Sequence, residues 1–340
     1  MKQFFGMSQK GDLKEAVRGL KDPQLIMLMS NDKQFEAHVR ELEELYPGVP
    51  SIGCIGMSYD TRVVENGVGV VAFQDGITAA ANVLEEVNTM PVKYIRRLER
   101  DVEKVKAAGN DACVLTTIYS VLKKKDISLV GGTGDGGRVS ANGRVYKEAV
   151  AYAIVKNQYG KVKAYKENIY HPVWKYRFIA SKTDKAKYMI GELNGKSARQ
   201  VYQSILKVSE QQITTQTFKN PFGRISGDEI CIISIKEVDG DALACFRQVN
   251  DSDVLILLEL GDYRRIVKET IQTIQKEFSR VSAVFSINCL FRYLLFSDNH
   301  YMQEYLQEMK TLGSHAGLVG YGEHYNNRFV NQSMTCVVFE

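Results

Sequence analysis

The chain has 340 residues, 44 of them basic and 40 acidic, for a net charge of +4. That length exceeds one ordinary core and suits two domains, and charges so evenly interspersed exclude an electrostatic nucleic-acid binder. No stretch approaches the ~18 apolar residues of a membrane span.

The opening MKQFFGMSQKGD lacks the sustained apolar core of a signal peptide. LIMLMS predicts a strand, and FEAHVRELEEL a helix with Phe35, Val39, Leu42 and Leu45 on one face, stopped by Pro47 and Pro50. His38 reads as a solvated position of that helix. Strands are expected near 51–58, 67–73 and 77–85. Pro91 opens a second helix with Ile95, Leu98, Val102 and Val105 inward. Residues 113–119 read as a buried strand, Lys123–Lys125 as a solvated loop, and 127–130 as a strand running into a glycine cluster. Long β-type runs follow at 144–156, 161–168 and 174–180.

A boundary falls near 182–197, where a polar stretch ends in the turn Asn194-Gly195. Ser197 then caps a helix carrying Ala198, Val201, Ile205 and Leu206. Strands at 229–237, 242–249 and 254–260 follow, the first two joined through Asp239-Gly240. Asp262 caps a helix with Val267, Ile271, Ile274 and Phe278 inward. A strand at 281–288, a helix at 299–312 and a closing hairpin complete the chain. Strands without a helix between each argue against an all-parallel sheet. The fold class is α/β of the α+β kind, with mixed or largely antiparallel sheets, outer helices and two related halves.

The halves are related by an internal repeat. Residues 52–73 and 318–339 align without a gap and share six identities: Gly56/Gly322, Tyr59/Tyr325, Arg62/Arg328, Val64/Val330, Val71/Val337 and Phe73/Phe339. Each copy follows a strand and an amphipathic helix. A cleft between related halves is a natural ligand site.

The glycine cluster VGGTGDGG, residues 130–137, satisfies GxGxxG but is followed by a hairpin sequence rather than the helix that a dinucleotide site requires. It reads as a turn with positive torsions and an open backbone, and as a third, weaker copy of the repeat. Near the other end, Arg292 is the only charge between Val281 and Phe296. Such a guanidinium is paired or faces a cavity, and its planar fork suits a carboxylate, either Glu323 or one on a ligand. Cys289 and Tyr325 join it in one cluster, and backbone amides of Gly131–Gly134 or Gly320–Gly322 supply further donors. The six cysteines form no CxxC pair, which speaks against a zinc site and for a reducing, cytoplasmic setting. No histidines stand at metal-ligand spacing. His171, among aromatics before the only tryptophan, reads as packing or as an axial haem ligand; His324 is a second candidate for that role. No GxSxG elbow points to catalysis.

Together PSIGCIGMS, LVGGTGDGG, ELNGKSARQVY, the Cys289–Arg292 element and GLVGYGEHYNNRFVNQS resemble a FIST protein over about residues 22–335. The resemblance places a FIST N-terminal region at 1–190 and a C-terminal region at 191–340. The departure is Leu290-Phe291, bulky where small residues are common. It implies a sensory, ligand-binding module rather than an enzyme. The implied ligand is a small molecule such as an amino acid, with Arg292, Glu323, Cys289, Tyr325, Gly131, Gly132, Gly322 and Asn331 around it. It implies no cofactor, or haem if the chain follows the branch resembling nitric oxide sensors. The implied partner is a signalling protein in trans, such as a histidine kinase, a diguanylate cyclase or a chemoreceptor. A rival reading keeps an enzyme using Cys289 or a pocket carboxylate.

Overall fold

The chain traces one path three times. The first copy runs β1 (Lys2–Ser8), α1 (Leu13–Ala16), β2 (Leu25–Ser30), α2 (Phe35–Leu45), β3 (Ser51–Ile55), a short hairpin of β4 (Ser58–Tyr59) and β5 (Val63–Val64), then β6 (Val68–Asp75). The second runs β7 (Ile77–Leu84), α3 (Ile95–Val105), β8 (Ala112–Thr116), β9 (Ser128–Gly132), the hairpin β10 (Asp135–Ala141) and β11 (Arg144–Lys147), then β12 (Val150–Asn157). β13 (Val162–Asn168) opens the third. Before the third copy resumes, the chain forms β14 (Tyr170–Asp184), β15 (Met189–Leu193), β16 (Lys196–Ser197), α4 (Ala198–Leu206), α5 (Ile213–Gln216), β17 (Phe222–Ser226), β18 (Glu229–Ile233), β19 (Ile235–Asp239), β20 (Ala242–Cys245) and β21 (Val254–Leu260). Then come α6 (Tyr263–Glu277), β22 (Ala283–Cys289), α7 (Leu290–Asp298), α8 (Met302–Lys310), β23 (Ser314–Gly320), the hairpin β24 (Glu323–Tyr325) and β25 (Arg328–Val330), and β26 (Ser333–Phe339). The computed structural model describes residues 1–85, 94–116, 127–227, 229–326 and 328–340. The expected loop at Lys123–Lys125 and the end of the strand expected at 113–119 lie outside the described residues.

Contacts divide the chain into two units, Met1–Glu167 with Val267–Glu340, and Asn168–Ile266. In the first unit the three copies build three six-stranded sheets of one design: β1-β6-β2-β3-β10-β11, β7-β12-β8-β9-β24-β25, and β13-β26-β22-β23-β4-β5. In each sheet two neighbouring strands are parallel (β2–β3, β8–β9, β22–β23), and the first and last of these pairs are joined through helices. A third strand returns antiparallel (β6, β12, β26). Each sheet is finished by a hairpin from another copy. The first copy's hairpin pairs with β23, the second's with β3, and the third's with β9. The glycine cluster is thus a further instance of the repeat, lying in the second of the three copies, with left-handed torsions at Gly136 and Gly137 and β10, not a helix, after it.

Strand alternation sorts the side chains between two layers. Met27, Met29, Val71, Phe73, Leu115, Val155, Phe285, Ile287, Val337 and Phe339 converge in one core shared by all three sheets. Phe73 and Phe339, one of the six identities, meet there with ring centroids 5.2 Å apart. On the opposite faces, α1 and α2 cover the first sheet through Leu13, Phe35, Val39 and Leu42, and α3 covers the second through Leu98, Val102 and Val105.

The second unit is an antiparallel sheet, β18-β17-β21-β14-β15-β20-β19 with β16 beside β15. Its core joins Phe178, Phe222 and Tyr202, with Phe222 5.4 Å from Tyr202 in an edge contact. Ser197 caps α4 by accepting from the Gln200 amide, and Asp262 accepts from the Arg265 amide at the start of α6, both as expected.

One expectation fails here. His38 is 3% exposed, bonded through Nδ1 to Ser30 Oγ at 2.7 Å and through Nε2 to the Gly11 carbonyl at 2.9 Å. It lies three residues after Phe35 and four before Leu42, which is the same helical face, so the core is where it belongs. LFRYLLFSD, to which the sequence pattern assigns no element because it is apolar on nearly every side, forms the helix α7.

Candidate functional site

The third sheet differs from the other two in its outer layer. Val162, Ala164, Phe285 and Ile287 fill the shared core. Alternation therefore turns Glu167, Ser286 and Asn288 to the helix side. There they meet α7 and α8, and polar side chains take the place that aliphatic ones hold elsewhere. Arg292, on α7, is 0% exposed and pairs with Glu167, itself 2% exposed. The guanidinium also lies 4.7 Å from the Phe296 ring centroid and 5.5 Å from that of Tyr305. Burial opposes its charge, but the neighbouring Glu167 outweighs that and keeps it firmly cationic. The anticipated carboxylate partner is thus Glu167, not Glu323.

The cluster extends through Tyr59, brought over by the first copy's hairpin. Its hydroxyl lies 2.9 Å from Ser286 Oγ, which in turn lies 2.8 Å from His315 Nε2. Gly317 makes room: a Cβ there would stand 2.7 Å from the Tyr59 ring. Desolvation lowers the His315 pKa to about 3, so the ring is neutral. Several polar atoms of the cluster are buried without a hydrogen-bond partner: Nε and Nη1 of Arg292, Oε2 of Glu167, both amide atoms of Asn288, and the Tyr305 hydroxyl.

Glu323 and Cys289 lie at the sheet's end. Glu323 pairs in register with Gly132, and its Oε1 is 3.3 Å from where a Cβ on Gly320 would stand. The carboxyl sits against the Cys289 thiol and the amides of Ser333 and Gly322, though neither oxygen makes a well-formed hydrogen bond. Burial pushes its pKa well above the usual carboxylate range, so it is a neutral acid. Burial, reinforced by Glu323, likewise pushes the Cys289 thiol up, against the amides of Phe291, Gln332 and Arg292. Gly322 has φ +138°, and a Cβ on it would stand 2.6 Å from Phe329 and 3.8 Å from Asn331 Oδ1. Because Glu323 is held protonated only when folded, ionisation in the unfolded chain draws stability away as pH rises above the ordinary carboxylate value. Glu323→Gln is therefore expected to raise the urea midpoint, by more at pH 8 than at pH 5; an equal shift at both would contradict a neutral Glu323.

The structure thus brings Cys289, Arg292, Gly322, Glu323, Asn331 and Gly132 into one neighbourhood, with Gly131 beside Gly132. Tyr325 faces the shared core instead, its ring 5.9 Å from Lys166 Nζ. Gly131 and Gly132 also line a cavity of about 70 Å³ where the three sheets meet, walled by Met27, Met29, Cys54 and Ile287. That is far below the roughly 300 Å³ at which small-molecule pockets begin. The histidines do not fit haem. His171 is exposed on β14 with its ring against Gly261, and His324 packs on Phe329 at 4.9 Å. Neither lines this cavity. Among the described residues, no group of histidine, cysteine and acidic side chains is placed to hold a metal ion. Glu167, Asn288, Tyr59 and Tyr305 were missed from sequence. A polar residue on the outward phase of a buried strand, as in KVKAYKEN and FSINC, was the available signal.

Two family models match the chain, the FIST N domain over residues 24–196 and the FIST C domain over 198–326. No curated protein matches it. The family boundary falls beside Ser197, whereas packing divides the chain after Glu167 and Ile266, because β13 completes a sheet with strands from the other end of the chain. No helix among the described residues is long and apolar enough to cross a membrane.

Proposed function

Because the chain belongs to the FIST family, whose domains are sensory, we propose that it binds a small polar molecule at the Arg292 cluster and signals through a partner protein. The observation carrying this is the buried guanidinium with Nε and Nη1 unpartnered beside the unpartnered Glu167 Oε2. Arg292 and Glu167 cancel in charge, while Glu323, Cys289 and His315 are neutral. A net charge brought into this layer would go uncompensated. A ligand carrying both a carboxylate and an ammonium fits: the carboxylate on Arg292, the ammonium on Glu167. An amino acid or a related metabolite has that chemistry. Gly322, Glu323, Cys289 and Asn331 bound the site, with the Gly131–Gly132 backbone beyond Glu323.

Ligand binding would favour one placement of α7, which carries Arg292 at its start, and a kinase, cyclase or chemoreceptor in trans would read it. Binding rather than turnover is supported by a thiol and a carboxyl that both hold their protons. The six free cysteines support a reducing, cytoplasmic setting. Thermal shift against an amino-acid and metabolite panel tests the proposal, with Arg292→Lys and Glu167→Gln alongside. One compound is expected to raise the native midpoint and lose its effect in both folded variants. Full affinity in Arg292→Lys would refute the assignment.

A further inference from the structure

A separate cavity, of about 330 Å³, opens at the carboxyl ends of β2 and β3. Its polar walls are Asn31 and Asp32 after β2, Glu65 and Asn66 in the turn before β6, Asp135 at the start of β10 and Tyr321 after β23. All three copies of the repeat contribute. The carboxyl ends of adjacent parallel strands are where open α/β sheets receive ligands, and the volume is that of a small-molecule site. The repeat supplies a control. The gapless alignment places Asn331 and Gln332 of the third copy at Glu65 and Asn66 of the first. In the third copy these positions are packed shut, with Asn331 9% and Gln332 0% exposed. In the first copy both side chains are exposed and border open space.

The chemistry of the walls is one-sided. Three carboxyl groups, two amides, a phenol and the Ser30 hydroxyl line the cavity, and no cationic side chain does. Arg138 holds Asp32 from the flank and reaches Glu36 at 3.0 Å. Glu65 accepts from the Tyr293 hydroxyl through one oxygen at 2.6 Å. Asp135 accepts from the Gly136 amide at 2.7 Å and from the Tyr321 hydroxyl at 3.3 Å. Each carboxylate retains acceptor capacity, since its two oxygens offer about four lone-pair sites. The three acids come from three separate segments of the chain and form no group placed to hold a metal ion. Carboxylates supplied by separate segments suit a ligand that itself carries more than one positive charge.

We propose that this cavity binds a small aliphatic amine bearing ammonium groups at both ends, with Glu65 and Asp135 as its counter-charges and Asn31 and Asn66 as neutral acceptors. Isothermal titration with putrescine on the full chain tests it, with 1,4-butanediol and magnesium chloride at matched ionic strength as comparisons. Saturable binding of putrescine alone is expected, at millimolar affinity or tighter. It should weaken at least about tenfold, or about 1.4 kcal/mol, in the doubly substituted Glu65→Gln, Asp135→Asn protein, whose fold is checked by circular dichroism. Absence of saturation, an equal response to butanediol or magnesium, or undiminished affinity in the folded double variant would each overturn the proposal. Should the double variant not fold, Asn66→Leu, at an exposed position, serves in its place, and unchanged affinity there has the same meaning.

Discussion

Glu167→Leu is expected to destabilise the protein by about 3–5 kcal/mol. The substitution leaves the Arg292 cation 0% exposed and without its counter-charge. The aromatic faces of Phe296 and Tyr305 offset only a small part, since a cation–π contact gives about 0.5–2 kcal/mol. Arg292→Met in the same chain should recover much of the loss, because well-packed apolar side chains replace a buried ion pair at little net cost. Urea midpoints of the two single variants and the double variant, arranged as a thermodynamic cycle, measure the coupling. A loss below about 1 kcal/mol for Glu167→Leu would mean that the pair behaves as a solvated one.

Acidification is expected to unfold the protein through its buried histidines. Desolvation holds His315 down to about 3 and His324 down to about 4 in the folded chain. In the unfolded chain both take up protons near 6.5. Between those values the unfolded state binds more protons, so stability falls as pH falls, by up to about 1.4 kcal/mol per pH unit for each ring. Glu323 works in the opposite sense above the ordinary carboxylate value of about 4.3, so between there and pH 6 it offsets part of the histidine slope. His315→Gln can keep a polar contact to Ser286 while removing one titrating ring. The slope of the urea midpoint against pH should flatten in that variant. A slope unchanged from the native chain would show that His315 is not the group responsible.

The sequence carried the repeat and most of the elements around it. The identities at Phe73/Phe339 and Val71/Val337 are legible because equivalent strands fill one shared core. The glycine cluster was recognisable as a further copy because the same strand-and-turn order surrounds it. α7 was hidden because a helix apolar on most sides has no dominant 3.6-residue stripe. Glu167 was hidden for another reason. It lies 125 residues from Arg292, and nothing local connects β13 to α7. Arg292 announced its own need for a counter-charge, but only the return of the chain to the third sheet decides which carboxylate answers it. The cavity beside Glu65 was equally invisible, since its walls come from three copies of the repeat.

The exchanged hairpins also govern how such a chain can be made. Tyr59 leaves the ribosome early, yet the strand it pairs with, β23, is among the last to emerge. The third sheet therefore waits for the closing strands, while β9 waits for β24. Nascent chains must carry unpaired strand edges through most of synthesis, a period in which they are open to wrong partners. Ring closure in the first unit is accordingly a late event that engages its three copies together, and a fragment ending before β23 has nowhere to seat its first hairpin.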